Sequence, residues 1–211
     1  MTVTIDKITD AEQYLDGLEL AIFDLDDTLY GEKSYVRSGY DAIARAFPSV
    51  EDMSRKLWER FLRKEKAIDG VLEEEGLLTQ ERLQNCLEIY RYHAPNIRLY
   101  DGVLEMLLRI KSSGKKLGLI TDGRVEGQRA KIKALGLEEL FDEIVVTDEL
   151  GGIEYRKPCE KAFLLVTERL GIEPSRSAYI GDNPKKDFIA PQKLGMRSVH
   201  FKNRDGLYYE P

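Results

Sequence analysis

The sequence predicts an α/β fold, a doubly wound parallel sheet that carries an inserted block of helices. A short apolar run, Leu20–Phe23, ends in acidic residues and is typical of a buried strand. After Pro95, strand-like and helix-like segments alternate, which indicates a parallel sheet with right-handed crossovers. Between these two parts the periodicity is only helical. A chain of 211 residues is long enough for one domain with such an insert.

Glycines divide the alternating part of the chain into its elements. Gly114, Gly136, Gly171 and Gly195 each follow a helical pattern, as expected of residues that end helices. With Leu20–Phe23 as the first strand, we expect that strand to lie at the centre of the sheet. The other predicted strands are residues 116–121, 143–147, 177–180 and 197–201, and the predicted helices are residues 103–110, 124–135, 161–170 and 187–194.

The helical block predicts a separate unit inserted after the first strand. Residues 35–47, 53–66 and 80–92 have apolar side chains at helical spacing, and Pro48 and residues 70–76 are expected to interrupt the helices. We therefore assign residues 1–30 and 96–211 to the core domain and residues 31–95 to a helical cap. An insert of about 60 to 65 residues can form its own small unit. Its aromatic side chains either line a substrate pocket or form its core; they include Tyr35, Tyr40 and Trp58.

Composition excludes several classes of function. The net charge of -6 argues against a general nucleic-acid-binding protein, which needs a basic surface. No apolar run is long enough to span a bilayer, and the N-terminus has no signal-peptide pattern, so we expect a cytoplasmic protein. Cys86 and Cys159 have no metal-ligand spacing and are predicted to be reduced thiols.

Acidic and hydroxyl residues follow three of the predicted strands. Asp24, Asp26 and Asp27 follow the first, Thr121 and Asp122 the second, and Asp182 follows the strand at residues 177–180. Ligands of open parallel sheets bind at the carboxyl ends of the strands, so we expect these groups to converge there. Several carboxylates in one place repel each other unless a cation is present. Oxygen ligands favour a hard ion, and the sequence therefore predicts a Mg²⁺ site.

This set of groups indicates phosphoryl transfer. A carboxylate can attack phosphorus as a nucleophile. Mg²⁺ and a lysine can neutralise the phosphoryl oxygens, and Lys157, which we expect at a helix start, can supply the lysine. A second carboxylic acid two residues after the nucleophile can protonate the leaving oxygen and then activate water.

The same residues resemble the motifs of the haloacid dehalogenase superfamily, whose members are mostly phosphatases. Residues 24–28, DLDDT, match its first motif, and residues 181–187, GDNPKKD, match its fourth. Thr121 matches the second motif and Lys157 the third. The four motifs occur in order over residues 20–201, which is nearly the whole chain. The resemblance thus implies a Rossmann-like core with a mobile helical cap inserted between the first and second motifs.

The resemblance also implies a role for each matching residue. Asp24 would be the nucleophile and a metal ligand, and Asp26 the general acid and base, with its backbone carbonyl on the metal. Lys157 would bind phosphate and orient Asp24. Asp182 would bind Mg²⁺, and Asp187 would support the ion directly or through water.

Phosphate binding would fall to the second and third motifs. Thr121 would hydrogen-bond the phosphoryl group, helped by backbone N–H groups near Asp122 and Gly123, with Lys157 beside them. The aspartate at position 26 favours a phosphatase, because the dehalogenases of the superfamily lack it and use no metal. Asn183 receives no role.

The expected function is Mg²⁺-dependent hydrolysis of a small phosphate monoester through an aspartyl phosphate on Asp24. Two alternatives stay open: a phosphomutase of the same superfamily, and a binding or regulatory protein that keeps the fold without turnover. The expected partner is a small phosphorylated metabolite, with no nucleic acid and no membrane. The sequence does not define the substrate, the oligomeric state, or whether Tyr208 and Tyr209 pack on the domain or on a partner.

Overall fold

A computed structural model describes residues 2–209 of the chain. The chain divides into two compact units, one formed by Met1–Glu32 with Arg98–Pro211 and the other by Lys33–Ile97. The strands are β1 (Thr2–Ile5), β2 (Leu20–Phe23), β3 (Lys116–Thr121), β4 (Glu143–Val146), β5 (Ser177–Gly181) and β6 (Arg197–Phe201). The helices are α1 (Glu32–Ala46), α2 (Met53–Leu62), α3 (Ala67–Glu74), α4 (Gln80–Tyr92), α5 (Val103–Ser112), α6 (Val125–Ala134), α7 (Lys161–Leu170) and α8 (Ile189–Lys193).

The larger unit contains one parallel sheet with the strand order β1-β6-β5-β2-β3-β4. From β2 the chain builds outward through β3 and β4, and then crosses back to place β5 and β6 on the other side. β2 is therefore the point where the winding direction reverses, and a ligand site is expected outside its carboxyl end. The predicted doubly wound parallel fold is confirmed.

Burial explains why these segments are strands. All four residues of β2 and all five of β5 are buried, as expected for strands covered on both faces of a parallel sheet. Their side chains share a core with α7, which lies against β3 and β4. Within this core Phe163 of α7 meets Tyr179 of β5 edge to face, with ring centroids 5.0 Å apart.

Three local expectations were wrong. No strand is predicted at Thr2–Ile5, yet these four β-branched residues pair with β6 at the edge of the sheet. Residues 70–76 were expected to interrupt the helices, but α3 runs through Gly70 and only Gly76, at φ +65°, follows its end. Lys157 does not begin a helix. It lies in a turn between a short 3₁₀ helix, Ile153–Tyr155, and α7, which begins at Lys161.

The smaller unit, Lys33–Ile97, has its own apolar core. Its helices contribute buried aliphatic side chains such as Ile43, Leu57 and Val71. Tyr40 is buried and Trp58 packs against the same core, where it stacks on Phe61 at 5.2 Å. In this unit those aromatic side chains are core residues.

Among residues 2–209, no helix has both the length and the apolar character that a membrane crossing requires. Cys86 and Cys159 are both free thiols, as predicted.

Gly118 in β3 provides a test of the packing between the sheet and α7. A Cβ atom at this position would lie 2.9 Å from Val166 Cγ1 and 3.2 Å from Ile22 Cγ1. We expect Gly118→Ala to lower the free energy of unfolding by about 1–3 kcal/mol, the usual effect of overpacking. Urea denaturation measures this loss.

The double variant Gly118→Ala/Val166→Ala is the control. Removing the Val166 methyl groups leaves room for the new one, so the alanine should be tolerated better in this background. An equal loss in both backgrounds would mean that the contact with Val166 does not limit the residue at position 118.

Candidate active site

The sheet brings the predicted site residues to one edge. Asp24 directly follows β2, Thr121 ends β3, and Asp182 directly follows β5. Because β3 and β5 both pair with β2 in parallel, these strand ends are neighbours. The backbone N–H of Asp24 donates to the Ile180 carbonyl at 2.9 Å, which continues the ladder into the site.

Lys157 is the central cation of the site. Its ammonium is buried and lies 2.8 Å from Asp24 Oδ1 and 2.9 Å from Asp187 Oδ1. It also donates to the Tyr179 hydroxyl at 2.8 Å. Burial alone would lower the pKa of Lys157, but the Asp187 and Asp24 carboxylates outweigh it and raise this pKa well above its usual range. Lys157 is therefore fixed as a charged partner of Asp24.

Three carboxylates converge beside this lysine. Asp24, Asp182 and Asp187 are buried, and each offers an oxygen within 4.8 Å of the others. Burial, with the charges of Asp24 and Asp187, raises the pKa of Asp182 to about 8. Burial also raises the pKa of Asp24 to about 6, against the lowering effect of Lys157. In both groups burial, with the neighbouring negative charges, outweighs the effect of Lys157 on the pKa. Hard oxygen donors in this arrangement fit a divalent cation such as Mg²⁺.

Asp187 is more tightly engaged than the other two carboxylates. Besides the bond to Lys157, it accepts the backbone N–H of Asn183 at 2.9 Å and faces the Tyr179 hydroxyl at 3.4 Å. The side chain of Asn183 accepts the Lys185 backbone N–H at 3.1 Å, so this residue shapes the loop. Asp182 accepts the Thr28 hydroxyl at 3.4 Å.

Asp26 is held by partners that the sequence analysis did not identify. Its carboxylate lies 2.7 Å from Lys131 Nζ, accepts Gln128 Nε2 at 2.8 Å, and accepts the Tyr30 hydroxyl. Burial acts to raise the pKa of Asp26, but Lys131 and these hydrogen bonds lower it overall. Gln128 and Lys131 are buried polar residues one turn apart on α6, a spacing that a sequence search for polar pairs could have found.

The second motif is tied into the same network. Gln128 also donates to the Thr121 hydroxyl, so one amide joins Thr121 to Asp26. The Asp122 carboxylate accepts the Lys157 backbone N–H at 3.0 Å, the Lys186 ammonium at 2.8 Å and the Thr147 hydroxyl at 3.1 Å. The side chain of Asp122 thus holds the surrounding segments.

These groups open into a cavity of about 380 Å³. The predicted residues reach it through Asp24, Asp26, Asp122, Lys157 and Asp182. The other residues that line the cavity were not predicted to lie in the site, and the sequence left open whether Tyr208 packs on the domain or on a partner. They are Glu32, Arg156, Asn183, Lys186 and Tyr208.

A parallel sheet with a lysine-bound aspartate at its switch point defines an α/β protein whose ligand site lies at the strand ends. The family model described as haloacid dehalogenase-like hydrolase matches residues 21–201. The chain therefore belongs to the haloacid dehalogenase-like hydrolase family.

Two proteins of known name are similar over most of their length. A glyceraldehyde 3-phosphate phosphatase from Methanopyrus kandleri is 28% identical, and the match covers 92% of this chain and 87% of that protein. A phosphorylated carbohydrates phosphatase from Thermotoga maritima is also 28% identical, over 87% of this chain and 84% of that protein.

A solved structure gives the same fold. A haloacid dehalogenase-like family hydrolase from Xanthomonas campestris superposes with a TM-score of 0.58 at 21% identity. The superposition covers 92% of this chain and 86% of that one.

Lys157→Met tests the electrostatics of the site. The substitution leaves Asp24 and Asp187 buried without their cation, and breaking a buried ion pair in this way costs about 3–5 kcal/mol. We expect that loss of unfolding free energy in urea denaturation at neutral pH with chelator present.

Lys193→Met is the matched control. Lys193 pairs with Glu160 at 3.2 Å, but its side chain is 66% exposed. The loss there should stay below about 1 kcal/mol. Similar losses for the two variants would show that the Lys157 ion pairs do not stabilise the fold.

Proposed function

We propose that this protein is a Mg²⁺-dependent phosphatase that hydrolyses a small phosphorylated carbohydrate through an aspartyl phosphate on Asp24. The observation that carries the proposal is the position of Asp24. It directly follows the central strand β2, lies 2.8 Å from the buried ammonium of Lys157, and lines a cavity that also contains Asp26 and Asp182. An oriented carboxylate beside a fixed positive charge suits nucleophilic attack on a phosphate.

In the first step an Asp24 carboxylate oxygen attacks phosphorus. The bond from phosphorus to the ester oxygen breaks, and the leaving oxygen takes a proton from the Asp26 carboxylic acid. Lys157 orients Asp24 through its hydrogen bond and places positive charge beside the phosphoryl oxygens. Lys186, which lines the same cavity, adds a second cation there.

The protonation of Asp26 follows from the charge of the substrate. Lys131 keeps this carboxylate ionised in the free protein. A phosphate dianion in the cavity brings negative charge toward Asp26, which acts to raise its pKa and favours uptake of the proton.

In the second step Asp26 is again a carboxylate and acts as the base. It removes a proton from water, and the water oxygen attacks the phosphorus of the aspartyl phosphate. The bond from phosphorus to the Asp24 oxygen breaks, inorganic phosphate is released, and Asp24 is regenerated. Thr121 and the backbone N–H groups near Asp122 and Gly123 bind the phosphoryl oxygens in this proposal.

Asp24, Asp182 and the Asp26 backbone carbonyl would hold Mg²⁺, with Asp187 in support. When bound, the ion neutralises charge on the phosphoryl oxygens and lets the carboxylates approach one another. The pKa of Asp182, which burial raises and the charges of Asp24 and Asp187 raise further, supports this assignment, because a cation at this place would oppose both effects.

The substrate class is supported by the named relatives. Several are glyceraldehyde 3-phosphate phosphatases, and one is a phosphorylated carbohydrates phosphatase. A cavity of about 380 Å³ suits a small ester of this kind. As the sequence resemblance implies, we also propose that residues 31–95 act as the cap.

The variant Asp26→Asn tests the nucleophile and the acid–base group together. An amide cannot protonate a poor leaving group, so phosphorylation by an alkyl sugar phosphate should slow by about 10²–10⁴. An aryl phosphate, which departs without a proton, should lose less. The second step still lacks its base, so phosphate should accumulate on Asp24. Rapid-quench mass spectrometry of the intact protein measures this species.

The double variant Asp24→Asn/Asp26→Asn is the control and should take up no phosphate. Equal losses for the two leaving groups would remove Asp26 from its acid role. Phosphate that accumulates on the double variant would remove Asp24 as the nucleophile. Product analysis of the wild type separates free phosphate from transfer to a second hydroxyl, as a phosphomutase would give.

We also expect turnover to require Mg²⁺. Excess chelator should abolish activity, and added Mg²⁺ should restore it. Asp182→Ala should raise the Mg²⁺ concentration for half-maximal activity strongly, because one of the clustered carboxylates is gone. Asp69→Ala, an aspartate of α3, is a control that should leave this concentration unchanged. Full activity in chelator, with no metal detected in the protein, would falsify the metal assignment.

A further inference from the structure

Residues 203–209 are hydrogen-bonded to the catalytic turn, which is the turn that carries Asp24, Asp26 and Asp27. Asn203 Nδ2 donates to the backbone carbonyl of Asp27 at 2.7 Å and to the Tyr100 hydroxyl at 2.8 Å. The backbone N–H of Leu207 donates to Asp27 Oδ2 at 2.6 Å. Asp27 itself is 1% exposed and has a left-handed backbone, with φ +54°. Hydrogen bonds to both the main chain and the side chain of one buried residue fix this segment against the turn that carries Asp24 and Asp26.

The same carboxylate also fixes Glu32. Asp27 Oδ1 accepts the backbone N–H of Glu32 at 2.8 Å, while Oδ2 accepts that of Leu207. Asp27 therefore joins two stretches of chain that are far apart in sequence. Each stretch places one polar side chain, Glu32 or Tyr208, in the wall of the active-site cavity.

The Glu32 and Tyr208 side chains carry no positive charge, unlike the residues that lie near Asp24 in the same cavity. Lys157 and Lys186 supply positive charge near Asp24. Glu32 offers a carboxyl group, and Tyr208 offers a phenol and an aromatic face. The two lie close enough that the Glu32 charge is the largest cause of the raised pKa of Tyr208, whose hydroxyl therefore remains a donor. Burial, with the charge of Asp26, raises the pKa of Glu32 to about 8, so at neutral pH this pair is a carboxylic acid beside a phenol. Both groups can donate and accept hydrogen bonds, and the pair therefore suits a group that carries hydroxyls.

We propose that Tyr208, with Glu32 beside it, contacts the leaving group of the substrate and selects a hydroxylated one. This inference rests on the proposed phosphatase function. Hydroxyl groups of the leaving alcohol donate to the Glu32 carboxyl and accept from the Tyr208 phenol. The ring of Tyr208 covers the C–H face of the same carbon chain.

Tyr208 is well suited to this role because its side chain is available. It is 55% exposed, so its removal leaves no hole in the core. Its neighbour Tyr209 belongs to the same segment but does not line the cavity with Asp24, and its ring instead lies 5.7 Å from Lys202 Nζ. The chain thus offers an adjacent tyrosine as a matched control.

Kinetics on two substrates test the contact. One is the sugar or polyol phosphate on which the wild type is most active, and the other is acetyl phosphate, whose leaving group has no hydroxyl. Tyr208→Ala should lower kcat/KM on the first about tenfold, mainly through KM, since hydrogen bonds and ring contacts are lost. On acetyl phosphate it should change kcat/KM by less than about twofold. Tyr208→Phe should give an intermediate loss, and Tyr209→Ala should match the wild type on both.

Glu32 is tested on the same two substrates. Glu32→Ala should lower kcat/KM on the hydroxylated substrate several-fold and change it by less than about twofold on acetyl phosphate, because a hydrogen bond to the leaving group is lost. Glu32→Gln, whose amide still donates and accepts hydrogen bonds, should stay near the wild type on both. Equal losses of Glu32→Ala on the two substrates, or no loss on the hydroxylated one, would remove Glu32 from the contact.

For Tyr208, equal losses on the two substrates, or no loss on the hydroxylated one, would overturn the contact. Melting temperatures of all variants, expected within a few degrees of the wild type, identify any loss due to unfolding. A wild type that releases phosphate from none of these compounds would contradict the proposed function itself, and that outcome is separate from any effect of position 208.

Discussion

The structure of the site depends on one buried ammonium group, that of Lys157. It lies between Asp24 and Asp187 at hydrogen-bonding distance from both, in a position where neither carboxylate could be buried as an anion without it. The Tyr179 hydroxyl accepts a further hydrogen bond from the same ammonium. The segment that carries Lys157 is irregular, and the Asp122 carboxylate fixes its backbone. The position of the central cation is therefore set by groups from three different strand ends.

The other carboxylates at this edge of the sheet differ in whether a cation lies beside them. Asp26 has its own cation in Lys131, and Asp122 has Lys186. Asp182 has no such partner within hydrogen-bonding distance among the ion pairs described for residues 2–209, and burial together with the charge of Asp24 raises its pKa. The position of the uncompensated carboxylate agrees with the place where the proposed mechanism needs a metal ion.

The sequence was sufficient to predict those parts of the fold that local patterns encode. β2, β3 and β6 have the predicted bounds, because each is a short segment that lies between turn-forming residues. The convergence of Asp24, Thr121 and Asp182 followed from the rule that parallel strands end at one edge. The N-terminal strand was missed because four residues carry too little alternation to stand out, and its pairing with β6 spans nearly the whole chain. Gly70 was misjudged because packing around α3 outweighs the low helix propensity of a single glycine.

The partners of the predicted site residues could not be found in the same way. Lys131 is 105 positions from Asp26, and Asn203 is 176 positions from Asp27. Such contacts depend on where an element lies in the folded sheet, which no local pattern records. Sequence reasoning therefore located the groups proposed for chemistry, whereas the network that orients them required the structure.

The attachment of residues 203–209 to the catalytic turn has a practical consequence for recombinant work on this protein. Only three residues would separate Tyr208 from an affinity tag joined after Pro211, so the tag can compete with a ligand or pull residues 203–209 from Asp27. A tag before Met1 would instead extend from β1, the edge strand that pairs with β6, and not from the segment that is bound to Asp27. Placement at the amino terminus, or removal of a carboxyl-terminal tag before assay, avoids measuring the tag in place of the enzyme.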